Sequence, residues 1–571
     1  MKKFKNILKL ILQIIFFISI FSKLYSKNFD NTYEADKVSD YFTGITSLND
    51  NDYANSYKYL KKLNNLEDKH YIYSKLYQHT SVNSENFNEA FKYAKKLVNK
   101  KIDNFESNLI IGVYYLRQEN FEQALKYFKK LNKEKNIKPF EKYLSESLVN
   151  LVNYKNVGFK VSSKALNLMP KEFDNLKKIQ NAFLHCFYQS KETDKIFKQL
   201  TSNTDGVSFS RYNYFYGAYL NSKGKKINAK QVIDSAIKIF PSNILLNQFK
   251  IDMEKNFFYN QFECQKISHI TAELFYIIAN SLSAQSLFSP SNFYLNLSKY
   301  LNPNFLSFDL LYAENFYRIE DYDKSKKIYA NIRKKGQVYG WHSVKQITSI
   351  LMLEKKEEEA LNFFQNQFKN IKNPKVSQML DYAEFLKNNE KFKDSIIYYS
   401  KVLKKINKKH FLYTKATYGR GVSYERTNEW KKAEIDLKNS LKANPKQAYV
   451  INYLAYSWIE QGIKIDEALS MLIKANEIKK NDGYIVDSLG WALFQLEKFD
   501  EAKKYLQLAV MIMPFDPIVN DHYADALWFN ENKIQARYYW NYVLNLKKTE
   551  DGLKTKIKKK LTNGPKREKK L

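Results

Sequence analysis

The sequence is short of the residues that punctuate turns. Its 571 residues include 15 glycines and 10 prolines, too few for a β-sandwich or a Rossmann-type enzyme of this length. Cysteine is nearly absent, with Cys186 and Cys264 the only two. They lie too far apart for a local metal knuckle and are too few for a disulfide framework. Cys186 falls in a helical stretch and reads as a small buried hydrophobe, although an export signal would allow one long-range bridge. Phosphate loops and nucleophile elbows are missing too: Gly419-Arg420-Gly421 belongs to a helical stretch, and no GxSxG occurs. The seven histidines show no i,i+4 pair and no metal-ligand spacing. No catalytic residue, metal or cofactor is therefore expected.

What is present favours helices. Hydrophobic residues at 44% exclude a disordered chain, and charged residues at 27% exclude a membrane-embedded one. Scarce glycine and proline with abundant lysine, leucine and glutamate point to an all-α protein. The formal net charge is +33. It comes mostly from lysines spread along the sequence, without an arginine-rich stripe or an RNA-binding signature. Solvated surface is the expected role, and a specific nucleic-acid partner is not.

The N-terminus reads as an export label. Lys2, Lys3, Lys5 and Lys9 precede an apolar run from Leu10 to Phe21, interrupted by Gln13 and Ser19. About 12 residues are too few to span a bilayer and suit a signal-peptide core. Cleavage after Ser26 gives a 1–26 signal peptide and a periplasmic product. An uncleaved inner-membrane anchor is the alternative.

Internal repetition decides the architecture. With Thr414 as position 1 of a 34-residue unit, Gly421, Ala433 and Ser440 fall at positions 8, 20 and 27. Tyr424 and Leu437 then fall at 11 and 24, and Pro445 at 32. The unit from Gly483 repeats the frame with Gly490, Leu493, Ala502, Leu506, Ala509 and Pro514. Units from Ala448, Pro517, Ser210 and Ala272 follow it, as do abutting units from Lys37, Tyr71 and Phe105. Small residues let two antiparallel helices approach, large ones fill the gaps between pairs, and one pair cannot bury its apolar face alone.

This pattern resembles the tetratricopeptide repeat (TPR) family. Ala272-Glu273-Leu274, Ser488-Leu489-Gly490-Trp491 and Asn520-Asp521-His522 resemble exported bacterial members of it. The resemblance implies an all-α, right-handed superhelical solenoid of about 12–14 stacked antiparallel helix pairs in two arrays. The boundaries expected are 37–243 for the first array, 244–271 for an irregular connector, 272–548 for the second array and 549–571 for a basic tail. From Lys547 onward that tail holds eleven basic and three acidic residues. Leu553, Ile557 and Leu561 at helical spacing give it a short capping helix before a lysine-rich end.

The resemblance also implies a ligand groove. In the family, positions 2, 5, 9 and 12 of each first helix face the concave side. In the clean C-terminal units these include Tyr449, Asn452, Tyr456, Tyr484, Asp487, Trp491, Phe494, Asp521, Asp525 and Trp528. Such an aromatic, mildly acidic face suits an extended peptide or a partner helix. The implied function is a non-catalytic protein-interaction scaffold of the cell envelope, with binding of an envelope polymer such as peptidoglycan as the alternative. Membrane contact is expected only through the signal region or the basic tail.

Overall fold

The structure is a computed structural model that describes residues 34–565 apart from Asn64, Lys69, 133–137, 203–208 and Asn260. The expected signal peptide and the end of the basic tail lie outside the described residues. Within them are 29 α-helices and one short 3-10 turn, and no strand. The described residues divide into two compact units, one ending at Glu357 and the other beginning at Glu358.

Each helix pair is built by the same local devices. The first helix ends where a non-glycine residue takes the left-handed conformation, as at Glu119 (φ 57°), Glu320 (67°), Glu390 (58°), Glu497 (64°) and Glu531 (59°). The turn after the first helix closes as a Schellman motif, with Asn120 N–H donating to the Tyr115 carbonyl at 2.9 Å and Lys498 N–H to the Leu493 carbonyl at 3.0 Å. An aromatic residue commonly opens the second helix, as at Phe121, Tyr322, Phe392 and Phe499.

The small positions are small because the helices touch there. A Cβ added to Gly112 would lie 2.3 Å from the Phe128 ring, and one on Gly490 would lie 2.6 Å from Leu506 Cγ. At three places where serine replaces alanine at position 20, the buried hydroxyl finds a carbonyl on the paired helix. Ser56 donates to Gly44 at 2.8 Å, Ser291 to Ala279 at 2.8 Å and Ser325 to Ala313 at 3.0 Å. Serine there keeps the close approach without burying an unpaired group. One pair departs from the frame: helix Pro139–Asn167 bends at Gly158 (φ 77°, ψ 170°), so a single continuous stretch serves as two helices.

The N-terminal unit is wrapped around its own helices. Residues expected as connector are partly helical: Ile244–Lys255 forms a helix whose cap, Asn243, accepts from Leu246 N–H at 3.1 Å. The next pair, Ile267–Ala284 and Phe288–Leu301, turns back across the inner faces of the early first helices. Phe293 stacks on His79 at 4.2 Å, Tyr300 stacks on Phe87 at 3.7 Å, and Asn292 donates to the Tyr53 hydroxyl at 2.9 Å. Arg211 grips Glu273 with two hydrogen bonds of 2.7 and 2.8 Å, and Glu273 is fully buried. Cys186 and Cys264 form a disulfide with a Cα–Cα distance of 5.9 Å. The expectation of Cys186 as a plain buried hydrophobe is thus corrected: it is buried and bonded. The pair starting near Ala272 was expected to open a second array, whereas the compact unit runs on to Glu357. The repeat frame specifies contacts within a pair and is silent on the surface that the pair covers.

Candidate functional site

In the C-terminal unit the ten residues expected to face the groove separate into three groups. Tyr449 and Tyr484 are exposed, at 49% and 59%. Asn452, Tyr456 and Trp491 are half-buried. Asp487, Phe494, Asp521 and Asp525 are buried, and Trp528 is half-covered by the chain's own end.

The exposed group begins with Tyr449, whose hydroxyl donates to Asp482 at 2.9 Å while the Lys479 ammonium sits 4.1 Å over its ring. On the same helix, the Asn452 side-chain oxygen is buried without a hydrogen-bond partner among the described residues. Burial raises the Tyr456 pKa, and the nearby Glu460 and Asp487 carboxylates raise it further, so this phenol stays neutral. The Trp491 indole N–H donates to Glu460 at 2.9 Å, and its ring stacks on His522 at 4.0 Å and Phe494 at 4.8 Å. The edge from Tyr449 to Trp491 is therefore aromatic, with carboxylates at its base.

The remaining acids are committed within the fold. Both Asp487 oxygens lie 3.1 Å from His522 Nδ1. Burial opposes charge on that imidazole, and the Asp487 carboxylate more than offsets it, so the His522 pKa is raised. The helix Asp551–Asn563 brings Lys560 to Asp521 at 2.8 and 2.9 Å and to Asp525 at 2.7 Å. Asp525 also accepts from the Trp540 indole at 3.2 Å. Burial and the neighbouring Asp521 charge still push the Asp525 carboxyl up to about 6. Behind Lys560, Ile557 is fully buried, and a Cβ on Gly564 would lie 2.6 Å from the Trp528 ring. The terminal helix foreseen from Leu553, Ile557 and Leu561 exists, and it covers Asp521, Asp525 and Trp528.

Sequence reasoning missed His522 and Lys560. The signal for Lys560 was its place beside Leu561 on the apolar side of the last helix. For His522 no spacing rule applies, because its partner lies 35 residues away on the preceding first helix.

Among the described residues no group of three His, Cys, Asp or Glu side chains could hold a metal ion, and no helix is long and apolar enough to cross a membrane.

Residues 487–515 match the tetratricopeptide-repeat family. Over 97 residues the chain is 29% identical to a TPR repeat-containing protein of Pseudomonas aeruginosa, a stretch covering 17% of this chain and 16% of that relative. Among solved structures, a thermophilic TPR protein of Thermus thermophilus is 15% identical, covering 33% of this chain and all of that one, with a TM-score of 0.29. YrrB, described as a TPR protein with an unusual peptide-binding site, is 18% identical over 34% of this chain and 97% of its own, with a TM-score of 0.27. The family match lies on the Gly483 repeat, and the same packing of small against large side chains recurs from Gly112 to Gly490. The chain carries a tetratricopeptide repeat at residues 487–515, within a stack of helix pairs built the same way.

Proposed function

We propose that the protein is a non-catalytic interaction scaffold of the bacterial cell envelope that holds a helix or an extended peptide on the C-terminal unit. The observation that carries this reading is the exposed aromatic edge at Tyr449 and Tyr484, backed by Asn452, Tyr456 and Trp491. Tyrosine and tryptophan offer large contact area with a polar handle, which suits recognition surfaces. The N-terminal unit supports a helical ligand, because a helix pair of its own packs against the early first helices, with Phe293 stacked on His79. The Cys186–Cys264 bond supports an oxidising compartment outside the cytoplasm. Stacking on a glycan is less favoured, since the faces of Trp491 and Trp528 are engaged by His522, Phe494 and Trp540.

The test is crosslinking with mass spectrometry on envelope fractions, comparing the native chain with Tyr449→Ala/Tyr484→Ala. Asp487 and Asp521 are poor positions for such a variant because each is buried in an ion pair. Loss of specific partners with unchanged helical content supports the reading. An unchanged partner set removes the groove assignment.

A further inference from the structure

The positive charge is spread along the sequence but not around the C-terminal unit. Antiparallel helix pairs put every turn within a pair on one edge of the array and every connection between pairs on the opposite edge. The connections between pairs are 370–375, 406–412, 444–447, 479–482, 513–516 and 546–550, and they hold nine lysines against three carboxylates. The turns within pairs are 389–391, 427–429, 461–464, 496–498 and 530–532, and they hold three lysines against four glutamates.

Exposed apolar side chains lean the same way, with Ile463 (39%) and Ile534 (85%) the exceptions at the turns within pairs. Phe411 (58% exposed) and Phe515 (72%) project from connections between pairs. Met511 (73%) and Ile518 (44%) flank the second of these. A cavity of about 610 Å³ lies on this edge, lined by Lys408, Lys409, Phe411, Tyr413, Lys442 and Asn444 among others, with no carboxylate in its wall. Among the described residues, no ion pair involves Lys408, Lys409 or Lys442. His410 Nδ1 accepts from Leu412 N–H at 3.1 Å, which shapes the loop that presents Phe411.

Lysines alternating with exposed aromatic and aliphatic tips are the pattern of a surface that enters the headgroup layer, where ammonium groups meet phosphates and apolar tips reach the acyl boundary. A soluble polyanion would use the lysines and leave the phenylalanine and methionine tips in water. We propose that the edge of the C-terminal unit formed by the connections between pairs docks on an anionic phospholipid surface, with the cavity beside Phe411 receiving a phosphate headgroup. This goes beyond the groove reading and does not rest on it, since it uses the loop edge and not the inner face.

The experiment is flotation of the full chain with vesicles of phosphatidylcholine alone or with phosphatidylglycerol added. Helical content and melting are checked for every variant. The apolar N-terminal run is common to all of them, so differences among them report the edge. The native chain is expected to partition about tenfold more strongly to the anionic vesicles, and less so at high salt. Lys408→Glu/Lys409→Glu/Lys442→Glu is expected to lose about tenfold or more of that partitioning. Phe411→Ser/Phe515→Ser is expected to lose severalfold while its retention on heparin is unchanged. The control Lys391→Glu/Lys393→Glu/Lys498→Glu, on the opposite edge, is expected to bind as the native chain does. Equal binding to both vesicle types, no binding to either, or an equal loss in the control overturns the proposal. Full vesicle binding by the phenylalanine variant also overturns it, and identifies the edge as a polyanion site instead.

Discussion

The two units use one repeat frame and treat their inner faces differently. In the N-terminal unit the pair 267–301 lies across the first helices, fastened by Arg211–Glu273, ring stacking and the Cys186–Cys264 bond. In the C-terminal unit the comparable cover is the single helix Asp551–Asn563, which reaches Asp521, Asp525 and Trp528, while Tyr449 and Tyr484 stay exposed. A repeat frame therefore determines how a pair is made and leaves open whether its groove is structural or available. The residues that decide are those bridging distant segments: Arg211, Cys264 and Asn292 in one unit, Lys560 in the other.

The comparison breaks most severely if the buried ion pair is cut. Arg211→Ala strands a buried carboxylate and should cost about 3–5 kcal/mol. Hydrogen exchange should show residues 267–301 opening while 413–545 keep their protection. If both regions loosen together, the units are not energetically distinct. Replacing both cysteines by serine should cost about 2–4 kcal/mol through the lost constraint on the unfolded chain. Thermal melts should shift for the N-terminal unit alone, and a lowered C-terminal transition would count against the contrast. Lys560→Gln leaves Asp521 and Asp525 facing each other without a cation and should cost about 2 kcal/mol. Its effect should be confined to 517–563 and visible as a change in tryptophan emission, because Trp528 and Trp540 lie there.

The smallest effect is in the pH response, where the two units should move in opposite directions. Burial works against the Glu106 charge, but His79 and Lys75 outweigh it and hold the pKa at about 2. Its contribution is present above the ordinary value of 4.5 and is lost as the pH falls toward 2. Asp525, raised to about 6, contributes stability that is present below 3.8 and lost as the pH rises through 6. His522, also raised, loses its contribution as the pH climbs past its folded value, above 6.5. From pH 8 to 5 the 517–563 region should therefore gain protection, whereas in the N-terminal unit burial sets two groups against each other: Asp252, raised to about 6, gains and His269, lowered to about 4, loses as the pH falls. Below pH 4 the N-terminal unit should weaken. Exchange measured at matched intrinsic rates would show parallel curves if this assignment is wrong.

Much of the fold was readable because it rests on local regularities. Positions 8, 20 and 24 were identified from the sequence, and Gly112 against Phe128 shows why they are restricted. Where serine stands at position 20, Ser56, Ser291 and Ser325 are each matched to a carbonyl twelve residues earlier. What could not be read was any pairing across a long separation: Cys186 with Cys264, Arg211 with Glu273, Asp487 with His522. No period connects the first two pairs, and for Asp487 with His522 the 34-residue frame brings the two first helices together without specifying which side chains pair. The candidate site was legible as a set of positions but not as a set of free side chains, since the partners of Asp487, Asp521 and Asp525 lie on other elements. The even spread of lysines along the sequence conceals one bias. In the C-terminal unit, lysines that look evenly scattered favour one phase of the repeat in its loops, and stacking gathers that phase onto one edge.

The glutamates that end the first helices carry a consequence for how this protein can change. A left-handed backbone disfavours any side chain with a Cβ, by about 1 kcal/mol or more, and glycine relieves it. Glu390 and Glu531 occupy such turns on the edge of the C-terminal unit away from the proposed membrane contact. Each is thus a site where a single substitution to glycine should raise the melting temperature without touching an inner face. The solenoid holds latent stability at its turns, so new binding surfaces could be acquired at a cost in folding and compensated elsewhere in the same chain.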